Sequence, residues 1–247
     1  MAREALFFKA SGTIFDAPRD RAAFIASMKA FAGRNSDCLI YVVPGGGKKV
    51  DDLRAVYDED PAQVTRSWFI DHGEILEPEQ AAHWHAIEIM DEIGKDLSAD
   101  LRSCENIIVP SVTRISMDRV NELPESWDIT SDSIVYSIAS AFAGETDDVP
   151  WIILLKHVDG VIDPGSNVNA IPRRQNDVSG TIVKNITVIK GKPRPLLPSY
   201  PFDVHMFVLV HRHKIPFYVV NWRHLERVDM LVRGIVDVTC TIITPGP

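Results

Sequence analysis

The sequence predicts an α/β protein whose central sheet is mainly parallel and covered by helices on both faces. Three observations carry this expectation. Strand-patterned and helix-patterned segments alternate along most of the chain, as they do in βα architectures. The run WIILLKHV, Trp151 to Val158, is almost continuously apolar, which fits a strand buried on both sides. Finally, LIYVVPGGGKKVDDLRAVYDED, Leu39 to Asp60, passes from a β-rich segment through three glycines into a charged helical segment. That order usually brings backbone N–H groups up to an anion.

Taken in order, Ala5 to Ala10 reads as the first strand. Arg19 to Phe31 carries Ala22, Phe24, Ile25, Met28 and Phe31 at helical spacing. Asp37 to Val43 is a second strand, ended by Pro44 and the glycines. Two or three helices follow from Val50 to about Leu101, the clearest being PEQAAHWHAIEIMDEIGKDL, where Pro78 and Glu79 suit a helix start. NIIVP and VTRISM read as short strands, Ser131 to Phe142 as a helix, and Trp151 to Val158 as the buried strand. Asp163 to Asp177 is loop-like, and SGTIVKNITVIKGK alternates as a strand or hairpin does. The chain closes with a helix near Phe202 to His213, the strand FYVVN, the helix HLERVDMLVR and the strand DVTCTII.

Composition narrows the function classes. With 45% hydrophobic and 24% charged residues the 247-residue chain is that of an ordinary soluble globular protein. A net charge of −8 argues against a protein that lives on nucleic acid or anionic lipid. No apolar stretch approaches the length of a membrane span. Cys38, Cys104 and Cys240 are far apart, odd in number and without zinc spacing, which predicts a reducing cytoplasm.

The glycine triplet fits neither standard phosphate loop. Gly45, Gly46 and Gly47 are consecutive, whereas the P-loop and the dinucleotide loop need fixed intervening residues. By itself the triplet is equally a tight turn. Three segments add chemistry to it. Lys9 ends the first apolar strand in LFFKASGT, where α/β sheets bind ligands, although a solvated lysine leaving the sheet has the same pattern. Asp128 and Asp132 stand four apart at the start of a helix, either as macrodipole partners or as carboxylates that hold a lysine. Lys156, His157, Asp159 and Gly160 end the buried strand, where a nucleotide would lie and where Asp-Gly also makes a turn.

Together these residues resemble a known family. Lys9 at the first strand end, PGGG-x-x-x-D-x-x-R from Pro44, WD-x-x-SDSI from Trp127, LLK-x-VDGV from Leu154 and the terminal FYVVNWRHLERVDMLVRG are similar to motifs of the amino acid kinase superfamily. Within it the chain is most similar to the aminomethylfuran phosphate kinase-like branch, linked to methanofuran and tetrahydromethanopterin C1 metabolism. The resemblance runs from about Ala5 to Ile243. It implies a three-layer αβα sandwich forming one domain, with an acceptor-binding lobe to about residue 145 and a nucleotide-binding lobe from about 146.

It also implies an ATP- and Mg²⁺-dependent phosphotransferase acting on a small phosphate- or carboxylate-bearing acceptor, with aminomethylfuran phosphate as the leading candidate. By matched position Lys9 would bridge donor and acceptor phosphates, and Asp132 would orient the catalytic lysines. Ser11, Gly12, Gly45, Gly46, Gly47 and Asp128 would face the acceptor. Lys156, His157, Asp159, Gly160 and Asn221 would face the nucleotide. A cytoplasmic homo-oligomer with a small-molecule substrate, without nucleic acid or membrane partners, follows from the same likeness.

The sequence departs from the family in three places. Ser11 stands where a glycine is usual, and His157 where an aspartate is usual before VDG. The second catalytic lysine has no matched position, leaving Lys184, Lys190 and Lys192 as candidates. These departures motivate an alternative, a non-catalytic relative that binds a nucleotide, an oxyanion or a partner protein. His83 and His85, two apart on a helix, diverge rather than share an ion, so no metal site is expected from them. Trp84, Phe202, Phe207 and Phe217 read as core or interface.

Overall fold

The computed structural model describes residues 4–119, 123–146, 149–159, 176–177, 202–203, 205–235, 238, 240–243 and 245. Strands β1 (Ala5–Ala10), β2 (Leu39–Pro44), β3 (Ile107–Ile108), β4 (Trp151–Lys156), β5 (Asn176–Asp177), β6 (Phe217–Asn221) and β7 (Thr241–Ile243) form one sheet in the order β3-β2-β1-β4-β6-β7-β5. Its pairs are parallel except β6 with β7, which is antiparallel. The α/β class and the mainly parallel sheet read from the sequence are both present.

Burial explains the central strands. All six residues of β1 are buried. Ala5 and Phe7 belong to one apolar cluster and Leu6, Phe8 and Ala10 to another, so the sheet has a core on each face. Strand β4 repeats this, with Ile152 and Leu154 on the first face and Ile153 and Leu155 on the second. The first face is covered by α7 (Ser131–Thr146), through Ile134, Val135 and Ile138. Helix α2 (Pro18–Arg34) covers the second with Phe24, Met28 and Phe31. Phe202, Phe207 and Phe217 lie in the first core and Trp84 packs against it.

Three helices fill the stretch after the glycines: α3 (Gly47–Glu59), α4 (Pro61–His72) and α5 (Pro78–Leu101). Helix α3 begins inside the triplet, earlier than the apolar periodicity suggests, because Asp16 of the short helix α1 (Thr13–Asp16) accepts from Lys48 N at 2.9 Å and caps its first turn. Helix α5 opens with Pro78 and a capping box between Glu77 and Gln80.

Two sequence expectations change. VTRISM is not a strand but part of α6 (Val112–Arg119). The Asp91 carboxylate accepts from Val112 N at 2.5 Å and Thr113 N at 3.1 Å, so a cap supplied by α5 outweighs the β-branched propensity. The helix expected near Phe202 starts at His205, as α8 (His205–His213), with Asp203 accepting from Met206 N at 3.2 Å. It leads to β6, a 3-10 turn at Trp222–His224 and α9 (Glu226–Val232). The SGTIVKNITVIKGK segment and the lysines at 184, 190 and 192 lie outside the described residues. No helix among the described residues is long and apolar enough to cross a membrane.

Candidate active site at the carboxyl ends of the central strands

Side-chain parity builds the site. Successive residues of a strand point to opposite faces, so Lys9 shares the face of Phe7, and Lys156 that of Leu154. Both strands run parallel and adjacent, with Lys9 opposite Leu154, so both ammonium groups reach the same face at the same end of the sheet. Helix α7 lies on that face and places Asp132 in its first turn. Lys9 Nζ is 3.0 Å from Asp132 Oδ1, and Lys156 Nζ donates to both Asp132 oxygens at 2.8 Å.

The trio is almost sealed from solvent, at 6% exposure for Lys9, 3% for Asp132 and 7% for Lys156. Burial alone would raise the Asp132 carboxyl, but the ammonium groups of Lys156 and Lys9 outweigh it and hold the group below the usual carboxylate range. Burial lowers Lys156 to about 8; Asp132 opposes the change and Lys9 adds to it. With two cations and one anion the cluster is net positive, a setting suited to oxyanions.

The start of α7 is fixed from outside. Asp203 accepts from the hydroxyls of Thr130 and Ser133, each at 2.6 Å, and from Thr130 N at 3.1 Å. Asp203 also accepts from Ser133 N at 3.3 Å, so part of the cap comes from far along the chain. The Thr130 hydroxyl in turn accepts from Asp132 N at 3.2 Å.

Beside the trio lies a cavity of about 250 Å³. Lys9, Ser11, Gly12, Gly45, Gly46 and Gly47 line one side, and Asp51, Arg54, His83 and Trp127 are also in its wall. The loops after β1 and β2 touch here. A Cβ on Gly12 would stand 2.0 Å from Gly47 N, and one on Gly45 would stand 2.8 Å from Gly12 N. Gly47 has φ +56°, and its own Cβ would meet Asp16 at 2.5 Å. Gly45 and Gly47 are thus required by backbone meeting backbone, Gly47 also by its positive φ, and Gly46 by the Val50 side chain packed against it. Ser11 fits because its amide donates to Leu155 O at 3.0 Å while its hydroxyl pairs with Thr13 Oγ1 at 3.0 Å.

The remaining predicted residues fall into two groups. Lys156 pairs with Asn221 across β4 and β6, and Asn221 donates to Asp159 at 3.2 Å. The Arg227 guanidinium also binds Asp159 and holds its carboxyl below the usual range. His157 accepts from Trp222 Nε1 at 3.1 Å. Gly160 lies outside the described residues. Asp128 is exposed and absent from the cavity wall, since the helix starts after it and leaves it on the preceding turn. His83 and His85 do point apart, His83 to Ser126 O at 3.2 Å and His85 towards Glu88 at 3.7 Å.

The sequence reading missed Asp203, Arg54, Trp127 and the place of Lys156 beside Asp132. For Lys156 a signal existed. Lys9 and Lys156 each end a doubly buried strand, and two such strands in a parallel sheet put their ends together.

Comparison with known proteins bears on the fold and on the class of protein this chain is similar to. No protein-family model matches the chain. The [5-(aminomethyl)furan-3-yl]methyl phosphate kinase of Methanocaldococcus jannaschii is 26% identical over 233 residues, spanning 87% of this chain and 88% of that protein. Among solved structures, uridylate kinase from Archaeoglobus fulgidus matches with a TM-score of 0.59 at 15% identity, covering 98% of this chain and all of that one. UMP kinase from Ureaplasma parvum matches at 0.54 and 14%, covering 99% of this chain and 100% of that one. The chain thus shares its fold with these uridylate kinases and is similar over most of its length to the archaeal furan phosphate kinase.

Proposed function

We propose that the chain is an ATP-dependent kinase that phosphorylates a small acceptor already carrying an oxyanion, with [5-(aminomethyl)furan-3-yl]methyl phosphate as the leading candidate. The observation that supports this most is the Asp132 carboxylate holding Lys9 at 3.0 Å and Lys156 at 2.8 Å at the ends of two central strands. Phosphoryl transfer asks little covalent help of a protein; it needs two oxyanions held in line while fixed positive charge neutralises them. Lys9 lines the acceptor cavity, so it bridges acceptor and donor, and Lys156, beside Asn221, serves the donor side. Asp132 works as a positioning residue, holding both ammonium groups still.

The acceptor oxyanion fits the cavity end formed by Gly12, Gly45, Gly46 and Gly47, where Lys9 and the half-buried backbone of Gly46 and Gly47 supply donors, the Gly45 N–H being already given to Ala10 O at 2.8 Å. Ser11 lies on the same wall. His157, Asp159, Gly160 and Asn221 are assigned to the nucleotide. Among the described residues no group of carboxylates, histidines or cysteines has the arrangement of a metal site. Mg²⁺ is assigned to the nucleotide phosphates, where it would shield their charge.

A coupled ADP-release assay with Mg-ATP and the furan phosphate tests the reading. Turnover in the wild type, abolished in Lys9→Ala, supports it. A purified protein that binds no nucleotide removes it.

A further inference from the structure

The cavity has two chemically different regions. One is the glycine floor with Lys9. The other is the face of α3 that carries Asp51 and Arg54, three residues apart and so on one side of the helix, together with Trp127. At 1.5 Å per residue Asp51 stands about 6 Å along the helix from Gly47, so the two regions can engage different parts of one small molecule.

Asp51 is the one carboxylate among the described residues that line this cavity. An acceptor bearing only negative charge would gain nothing from it and would be repelled. Its partner in the structure is Arg54, at 3.1 Å, in a pair whose carboxylate side is 66% exposed. The exposed carboxylate gains little from the pair, so Asp51 can exchange Arg54 for a ligand group at small cost. Arg54 also lies over the Trp127 ring at 5.1 Å, and Tyr57 meets that ring at 5.6 Å. Trp127 is held in the wall by its backbone: Glu79 accepts from Trp127 N at 3.2 Å and from Ser126 Oγ at 2.9 Å. The region therefore offers a flat aromatic surface flanked by a carboxylate.

We propose that Asp51 is a specificity-determining residue that accepts from a primary ammonium on the acceptor, several bonds away from the oxyanion that receives the phosphoryl group. This rests on the kinase reading above. The acceptor named for the archaeal relative has this build, with an aminomethyl group and a methyl phosphate at separate positions of one furan ring. The flat ring suits the Trp127 wall, and the apolar side chains of Ile87 and Met90 line the same cavity. Asp51 thus separates ammonium-bearing acceptors from wholly anionic ones.

Titration calorimetry at pH 7 tests this with two probes, [5-(aminomethyl)furan-3-yl]methyl phosphate and its hydroxymethyl analogue. The wild type is expected to prefer the amine by about 10-fold, the value of a charge-assisted hydrogen bond at a partly exposed site. Asp51→Asn should erase that preference while leaving affinity for the hydroxymethyl probe within about twofold, and Asp51→Glu should restore part of it. A wild type without preference, an Asp51→Asn protein that keeps it, or failure to bind either probe overturns the proposal. ADP release is read in parallel. A preference in binding without turnover would remove the kinase reading and leave ammonium recognition standing, and turnover without preference would do the reverse.

Discussion

Replacing Asp132 by asparagine keeps the shape of the side chain and removes its charge. Two ammonium groups would then face each other in a nearly solvent-free site, at 6% and 7% exposure, with no counter-ion between them. At an effective dielectric of about 20, each contact of roughly 3 Å is worth about 5 to 6 kcal/mol of attraction before desolvation is counted. The cost of burying three charges cancels much of that. Removing one member of a buried set usually leaves a net loss of about 3–5 kcal/mol. Asp132→Asn is therefore expected to lose about 3–5 kcal/mol in urea unfolding and to lower kcat/KM by about 100-fold or more, because the lysines are no longer fixed.

The double variant Asp132→Asn with Lys156→Met separates charge from shape. It removes the repulsion, so it should be more stable than Asp132→Asn alone while staying inactive. Mg-ATP should also stabilise Asp132→Asn, since phosphate oxygens replace the missing anion. An Asp132→Asn protein within about 1 kcal/mol of the wild type, or a double variant less stable than the single one, would refute the electrostatic account of this cluster.

Lys156 gives a pH dependence with opposite signs for stability and activity. Its folded value of about 8 lies below an ordinary lysine's 10.5, so between them the unfolded chain binds more protons and this residue's contribution to stability rises with pH. Under the proposed kinase reading activity needs the ammonium, so kcat/KM should fall as pH rises through about 8. Gly12→Ala puts a Cβ 2.0 Å from a backbone nitrogen and should cost about 1–3 kcal/mol or more together with acceptor affinity. Gly33→Ala, with nothing within 4 Å inside α2, should instead stabilise by about 0.5–1 kcal/mol, and thermal melts of the two variants check the contrast. Burial pushes the thiols of Cys38 and Cys240 up to about 11, so a maleimide at pH 7.5 should label Cys104 in the native protein and reach the other two only after denaturation.

The layered fold was legible because local and global signals agree in the central strands. LFFKA and WIILLK are apolar on both faces, and nothing local competes with a doubly covered strand. The start of α3 and the helix at α6 were hidden because both depend on carboxylates, Asp16 and Asp91, supplied by other elements. At the site, Lys9 and Asp132 were legible as strand end and helix start. Asp203 was not, since it reaches the start of α7 from about 70 residues downstream and no periodicity encodes that. Asp128 stands outside the cavity wall, since a spacing of four puts two residues on one face only within a helix and the helix begins at Ser131.

The electrostatics of the trio also bear on which acceptors the site can serve. A kinase for an alcohol benefits from a base near the hydroxyl, and the carboxylate closest to the lysines is the natural choice. Yet Asp132 is spent on two ammonium groups, which hold its proton affinity below that of an ordinary carboxyl. It is a poor base where it stands, and its oxygens already accept from Lys9 and Lys156. An acceptor that arrives as a phosphate or a carboxylate needs no such base, because its nucleophilic oxygen is already unprotonated at neutral pH. What it needs is relief from the repulsion of the donor phosphates, and a buried net positive cluster supplies that. The arrangement that weakens Asp132 as a base thus strengthens the site for anionic acceptors. An alcohol with no charged group should therefore be the poorest acceptor in an ADP-release screen, and turnover of such an alcohol at the rate of a phosphate would contradict this account of the cluster.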